Sequence, residues 1–324
     1  MLQQLENKLI KIKQITENTK INLLFPGQAS QYKSMGMDWY NQFPIYRKTF
    51  DYINQKIKSQ YKDYIDTDLI SLLEDESKIN ITLYSQILIF SVSVSCFECI
   101  KDILGDKISC LAGHSLGEYS ALVCSQSLTL DQGIDLVVKR GYFMHNYSKE
   151  GTMFAVIDNF NPQTIQKLQT IVQNYNSTIA NYNSYSQLII SCPVEKSEEL
   201  KKEIKLQIPT IKILPLKVSG AFHSYMMQEA NNYLSKHIDQ VNFNSPKLEL
   251  YINSQNLTDP NQIKQEMKNQ MINPVNWILT IEKINQKYPS NIFLELMPNK
   301  ILSNLIRKGF DKSISEKVYS IEEL

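Results

Sequence analysis

The sequence predicts an α/β protein built on a mostly parallel sheet. Three observations carry that prediction: short β-rich runs alternate with longer helical ones, two of those runs end abruptly in glycine-bearing turns, and a tighter β-α-β-β-α-β rhythm interrupts the alternation near the middle of the chain. Ile21 to Phe25 reads as a buried strand ending at Pro26-Gly27, and Ile108 to Ala112 as another ending at Gly113. Helical patterns occupy 81–104, 116–126 and 130–147. In sheets of this kind ligands bind at the carboxyl ends of the strands.

The interrupting unit reads as strand 152–157, helix 162–173, strands 178–182 and 187–192, helix 194–204 and strand 211–216, the order of a ferredoxin-like motif. The larger unit resumes after Val218 with helix 223–238, strand 247–252, helices 261–270 and 275–286, strand 291–296, helix 300–308 and a last strand 316–321. The expected division is an extension over 1–20, a main domain from 21–150 and 218–324, and an inserted subdomain over 151–217. In the extension, Leu2, Leu5, Leu9 and Ile12 share a helical face with Lys8, Lys11 and Lys13 between them, which suits a targeting helix. The absence of Arg and the presence of Glu6 and Glu17 suit a plain surface helix equally well, so a cytoplasmic and a mitochondrial matrix location both stay open.

Composition narrows the function classes. The 34 basic and 33 acidic side chains give a net charge of +1, without the basic footprint of a nucleic-acid binder. The longest apolar stretch, Leu83 to Ile100, carries Gln86, Glu98 and four Ser, which fits a buried helix and not a membrane span. Five Cys make no even disulfide framework, and the Cys96-x-x-Cys99 pair lies inside an apolar helical run with no nearby His, which predicts core packing and no metal or redox cofactor. The chain uses only 10 Gly, and its three Arg are Arg47, Arg140 and Arg307. Residues used so sparingly mark positions where a substitute fails.

Gly113-His114-Ser115-Leu116-Gly117 is a G-x-S-x-G between a predicted strand and a predicted helix, the context in which a serine sits on a sharp turn and projects its hydroxyl from the sheet. The N–H of Leu116 would point into an oxyanion site at the helix start, and the loop at Gly27-Gln28 could supply a second backbone donor. A serine nucleophile needs a base, and the chain has four His. His114 is fixed within the turn, His145 ends a helix, and His237 sits beside Lys236 on what reads as a solvated face. His223, in a loop following the strand at 211–216, is the candidate base. Arg140 lies late in the helix after the turn; by pattern alone a solvated position is the simpler reading, although a planar fork that grips a carboxylate is something Lys cannot copy.

The blocks FPGQASQ at 25–31, AGHSLGEYSALV at 112–123, KRGYFM at 139–144, SGAFHS at 219–224 and QMINPVNW at 270–277 together resemble the malonyl-CoA:acyl-carrier-protein transacylase family, in its order and spacing. The resemblance runs from about residue 21 to 308. It implies a large α/β-hydrolase-like domain with an inserted ferredoxin-like one, and malonyl transfer from malonyl-CoA to acyl carrier protein for fatty acid synthesis by a chain acting as a monomer. It also implies that Ser115 carries the acyl group, that His223 is base and then acid, and that Gln28 and Leu116 form the oxyanion hole. Arg140 would pair with the malonyl carboxylate, His114 would help bind substrate, and the main-chain carbonyl of Gln270 would orient His223. Ala29, Asn276, Met297 and Asn299 depart from the family pattern, which leaves the loop conformations around Ala29 and Met297 open. Two other readings remain: an esterase or thioesterase, which needs a carboxylate partner for His223 and a dispensable Arg140, and a non-catalytic docking module for carrier protein.

Overall fold

A computed structural model describes residues 10–15 and 17–324. Its first sheet has the strand order β10-β9-β1-β2-β7-β8, where β1 is Ile21–Phe25, β2 Ile108–Gly113, β7 Glu249–Ile252, β8 Gln255–Asn256, β9 Ile292–Glu295 and β10 Val318–Ser320. Every pairing is parallel except the short β7–β8 hairpin. Strands buried on both faces read as continuous apolar runs because successive side chains enter different cores. In β1, Leu23 and Phe25 enter one core and Leu24 the other.

Helices cover both faces. On one side lie α1 (Pro44–Gln60), α2 (Thr82–Leu104), α3 (Gly117–Cys124) and α4 (Leu130–Asn146), with α7 (Gln228–Gln240) and α8 (Pro260–Asn269) beyond them. On the other side lie α9 (Trp277–Lys287) and α10 (Ile301–Gly309). The apolar run of α2 is a core helix: Gln86 and Ser85, Ser91, Ser93 and Ser95 are buried along with its aliphatic residues, and among the described residues no helix is long and apolar enough to cross a membrane. Cys96 and Cys99 are buried in that core, and no cluster of metal-ligating side chains occurs among the described residues.

The second sheet is built wholly from residues 152–215. Strand β3 (Thr152–Ile157) leads through α5 (Pro162–Asn174) to β4 (Thr178–Ser184) and β5 (Gln187–Cys192), then through α6 (Ser197–Gln207) to β6 (Lys212–Pro215). The strands are antiparallel in the order β4-β5-β3-β6 and enclose their own core around Phe154, Leu168, Ile190 and Leu200. One isolated bridge joins the two units: Tyr182 N–H donates to Val275 O at 2.9 Å, and Val275 N–H to Ala180 O at 2.9 Å.

Several sequence expectations shift. The helix expected at 223–238 begins at Gln228, preceded by a single 3-10 turn at Tyr225–Met227, so His223 is a loop residue outside it. The helices Met37–Gln42, α1 and Leu69–Glu74 had no sequence assignment. Ala29 and Asn299 take left-handed backbone angles, φ 77° and 68°, so Ala29 holds the conformation that a glycine would favour, while Met297 precedes a cis peptide to Pro298. Of the proposed amphipathic extension, Ile12 is buried, whereas Leu2, Leu5 and Leu9 lie outside the described residues.

Candidate active site

Strands β1 and β2 are neighbours in register, Phe25 beside Gly113, so the loops leaving their carboxyl ends must meet. His114 N–H donates to Phe25 O at 3.0 Å, which binds the start of the Ser115 turn to the end of β1. Ser115 takes φ 53°, a left-handed angle costly for a residue with a Cβ and characteristic of functional turns. The two flanking glycines allow this. A Cβ on Gly113 would lie 2.0 Å from Gly117 C, and one on Gly117 would lie 2.1 Å from Phe25 O.

Ser115 Oγ lies 2.7 Å from His223 Nε2. His223 Nδ1 lies 3.0 Å from two main-chain carbonyls, those of Gln270 and Asn273, so Nδ1 carries the proton and Nε2 is left as the acceptor for the serine hydroxyl. No carboxylate among the described residues touches this imidazole. Burial, then the charge of Arg140 and then His114, push the His223 pKa down from 6.5 to about 3, so the ring is neutral and able to accept a proton at neutral pH. The N–H groups of Gln28 and Leu116 donate to no partner among the described residues; Leu116 follows Ser115 directly, and Gln28 lines the same cavity as Ser115. The Gln28 side-chain amide donates to Thr82 Oγ1 at 2.9 Å and to Ser85 Oγ at 3.2 Å.

Arg140 corrects the simpler sequence reading. Helix α4 starts with a capping box, Thr129 with Gln132, and runs along the core so that Val137, Arg140 and Met144 share its buried face. Arg140 is fully buried, not solvated. Its Nη2 donates to Ser115 Oγ at 3.2 Å and to Gln270 Oε1 at 3.2 Å, its Nε also reaches Gln270 Oε1 at 3.3 Å, and its Nη1 donates to Gln86 Oε1. The Tyr119 ring lies 5.6 Å from its guanidinium carbon. It forms no ion pair with any described carboxylate. A buried cation satisfied only by neutral acceptors is costly to hold, which is the arrangement expected where an anionic ligand completes the charge balance.

His114 Nε2 lies 2.8 Å from Asn183 Oδ1 on β4, and its ring packs edge-on against Trp277. His145 is exposed, and His237, expected on a solvated face, instead stacks on Phe143 with ring centroids 5.6 Å apart. A cavity of about 630 Å³ opens over the serine, lined by Gln28, His114, Ser115 and His223 from the first unit and by residues such as Ala155 and Ile189 from the second. That is room for the acyl end and part of the arm of a thioester substrate. Arg140 is not in the cavity wall; it sits one layer behind, reaching the cavity through Ser115 Oγ.

Several participants were not assigned from sequence. Gln86 stood out only as a polar residue in an apolar run and Asn273 only as part of the block at 270–277, whereas Asn183 joins the site from a distant segment and carries no local signature. Glu118 had one: a lone acid in the otherwise apolar and small run of α3. It is buried, accepts from Asn253 N–H at 2.7 Å and from Gln270 Nε2 at 2.6 Å, and burial pushes its pKa up to about 7.

A model of the acyl transferase domain matches residues 23–321. The malonyl CoA-acyl carrier protein transacylase of Bacillus subtilis is 31% identical, with 90% of each chain covered, and the protein of that name from Haemophilus influenzae is 30% identical over 89% of this chain and 92% of its own. Among solved structures, the malonyl CoA-acyl carrier protein transacylase from Coxiella burnetii superposes with a TM-score of 0.82 at 28% identity, covering 94% of both chains. A structure of a type II polyketide acyl-carrier protein in complex with its malonyl-transacylase matches with a TM-score of 0.80 at 28% identity, over 93% of this chain and 95% of that one. The chain belongs to the acyl transferase domain family, alongside the malonyl CoA-acyl carrier protein transacylases.

Proposed function

We propose that this chain transfers the malonyl group from malonyl-CoA to the phosphopantetheine thiol of acyl carrier protein, supplying malonyl-carrier for fatty acid biosynthesis. In the first half-reaction Ser115 Oγ attacks the thioester carbonyl while His223 Nε2 takes its proton, and the N–H groups of Gln28 and Leu116 stabilise the oxyanion. The C–S bond then breaks, CoA leaves as the thiol with the proton from His223, and the malonyl ester of Ser115 remains. In the second half the carrier thiol gives its proton to His223 and attacks the ester; Ser115 leaves and recovers the proton.

The observation that carries this reading is Arg140: a fully buried guanidinium that forms a direct ion pair with no described carboxylate, 3.2 Å from Ser115 Oγ. It suits an acyl group that brings its own carboxylate, and the cavity over Ser115 is lined by His114 and Asn183. The neutral carbonyls at His223 Nδ1 favour this reading over a hydrolase with an acid third member. In domain terms the six-stranded unit, 21–150 with 218–324, is α/β-hydrolase-like, and the four-stranded unit, 151–217, is a ferredoxin-like insertion; all the groups invoked lie on one chain, which fits action as a monomer. The test is Arg140→Ala, which should lose malonyl transfer by about a hundredfold, the order expected for a charged pair left incomplete, while keeping or gaining acetyl transfer. Equal loss of both transfers would overturn the reading.

A further inference from the structure

Glu118 sits in the first turn of α3, three residues past the nucleophile, and is only 2% exposed. It touches neither the cavity nor Ser115 Oγ. Its two oxygens face two donors: Oε1 accepts from Asn253 N–H at 2.7 Å and Oε2 from Gln270 Nε2 at 2.6 Å. The second N–H of that amide donates to Ser115 O at 2.7 Å, which leaves Gln270 Oε1 for Arg140. An amide rotated by half a turn would set its oxygen against two acceptors and its NH₂ against a guanidinium, so all its contacts would turn repulsive. With a donor facing each oxygen the carboxyl group accepts at both; a glutamine in the same place has one carbonyl acceptor for the two donors.

We propose, resting on the transacylase reading above, that Glu118 is a positioning residue for malonyl recognition: its carboxylate fixes the Gln270 amide so that Gln270 offers its side-chain carbonyl to Arg140 and its main-chain carbonyl to His223. Glu118 does so from the same turn that presents Ser115, and through Asn253 it anchors the loop carrying Asn273 and Val275, because Asn253 Oδ1 accepts from Asn276 N–H at 2.8 Å and Asn253 Nδ2 donates to Pro274 O at 3.1 Å. Nucleophile, base and carboxylate fork are thereby held to one buried acid.

Glu118→Gln keeps the volume and removes one acceptor. Its malonyl kcat/KM should fall about tenfold, the order set by one buried donor left unpaired, and its malonyl-over-acetyl preference should fall with it because Arg140 is released. Gln270→Met removes the amide and keeps the main-chain carbonyl, and should lower the same preference. In the double variant the loss should be no greater than in the worse single variant, since both changes remove one chain of contacts. An unchanged malonyl-over-acetyl ratio in Glu118→Gln, or losses that multiply in the double variant, would overturn the proposal. Should Glu118→Gln not fold, Glu118→Asp, which keeps the charge but shortens its reach to Gln270, decides: a reduced ratio supports the proposal and a parental ratio refutes it. Failure of the parent chain to transfer malonyl would overturn the transacylase reading and this proposal together, whereas parental transfer with unchanged variant selectivity refutes the proposal alone.

Discussion

The six-stranded and the four-stranded units differ in what they bring to Ser115. Among the described residues, every group within hydrogen-bond reach of Ser115 Oγ or of the His223 ring comes from the parallel unit, from loops at the carboxyl ends of β1 and β2 or from segments packed beside them. The antiparallel unit contributes Asn183 to His114, a bridge to Val275 in the loop that holds His223, and one wall of the cavity. Parallel strands all point their carboxyl ends one way and so gather several loops at one edge; an antiparallel sheet alternates its ends and gathers fewer. One unit can therefore concentrate chemistry while the other encloses and braces it.

That comparison is broken most severely through the base. His223→Ala should lower malonyl transfer by about 10²–10⁴-fold with the fold retained, as read by steady-state kinetics beside circular dichroism. A loss under about tenfold would mean that the parallel unit does not supply the base. Phe154 is fully buried in the antiparallel core, and Phe154→Ala should cost about 3–5 kcal/mol in urea denaturation, with activity lost only in step with the unfolded fraction. A large kcat loss in folded protein would show that the small unit takes part in the chemistry.

The pH dependence of stability gives a smaller and signed effect. The unfolded chain protonates His223 near 6.5, but the folded chain holds it to about 3, so the contribution is intact above pH 6.5 and is lost as pH falls from there toward 3. Between pH 6.5 and 5 it is on the order of 1–2 kcal/mol. The parent should lose more stability over that interval than His223→Gln, as measured by denaturant midpoints at the two pH values; equal losses would contradict the buried, neutral imidazole. Asn183→Ala should have the least effect, about 0.5–1.5 kcal/mol, expressed in KM for malonyl-CoA with kcat little changed, because it frees His114 without touching Ser115 or His223.

How much of this was legible in the sequence depended on chain distance. The turn at 113–117 was legible because strand, glycines, serine and helix are consecutive and the local sterics suffice. The antiparallel unit was legible because its strand and helix lengths repeat within 65 residues of chain, and strands β3 and β5 fall where the pattern put them. His223 was reached by elimination among four His, while its position before the helix was not, since a left-handed residue at φ 54° ends no periodic pattern. By pattern alone, before the family resemblance assigned it a carboxylate, Arg140 read as solvated, because a helical pattern cannot show that Gln86, 54 residues before it, and Gln270, 130 residues after it, supply its acceptors. The same holds for Glu118 and Gln270, which meet across 152 residues of chain.

The most direct test of the account is covalent capture. Incubated with radiolabelled malonyl-CoA, the parent chain should carry one malonyl label in an ester that added carrier-protein thiol discharges, and Ser115→Ala should carry none. Label that persists on Ser115→Ala, or a parental label that carrier thiol does not remove, would contradict acyl transfer through this serine.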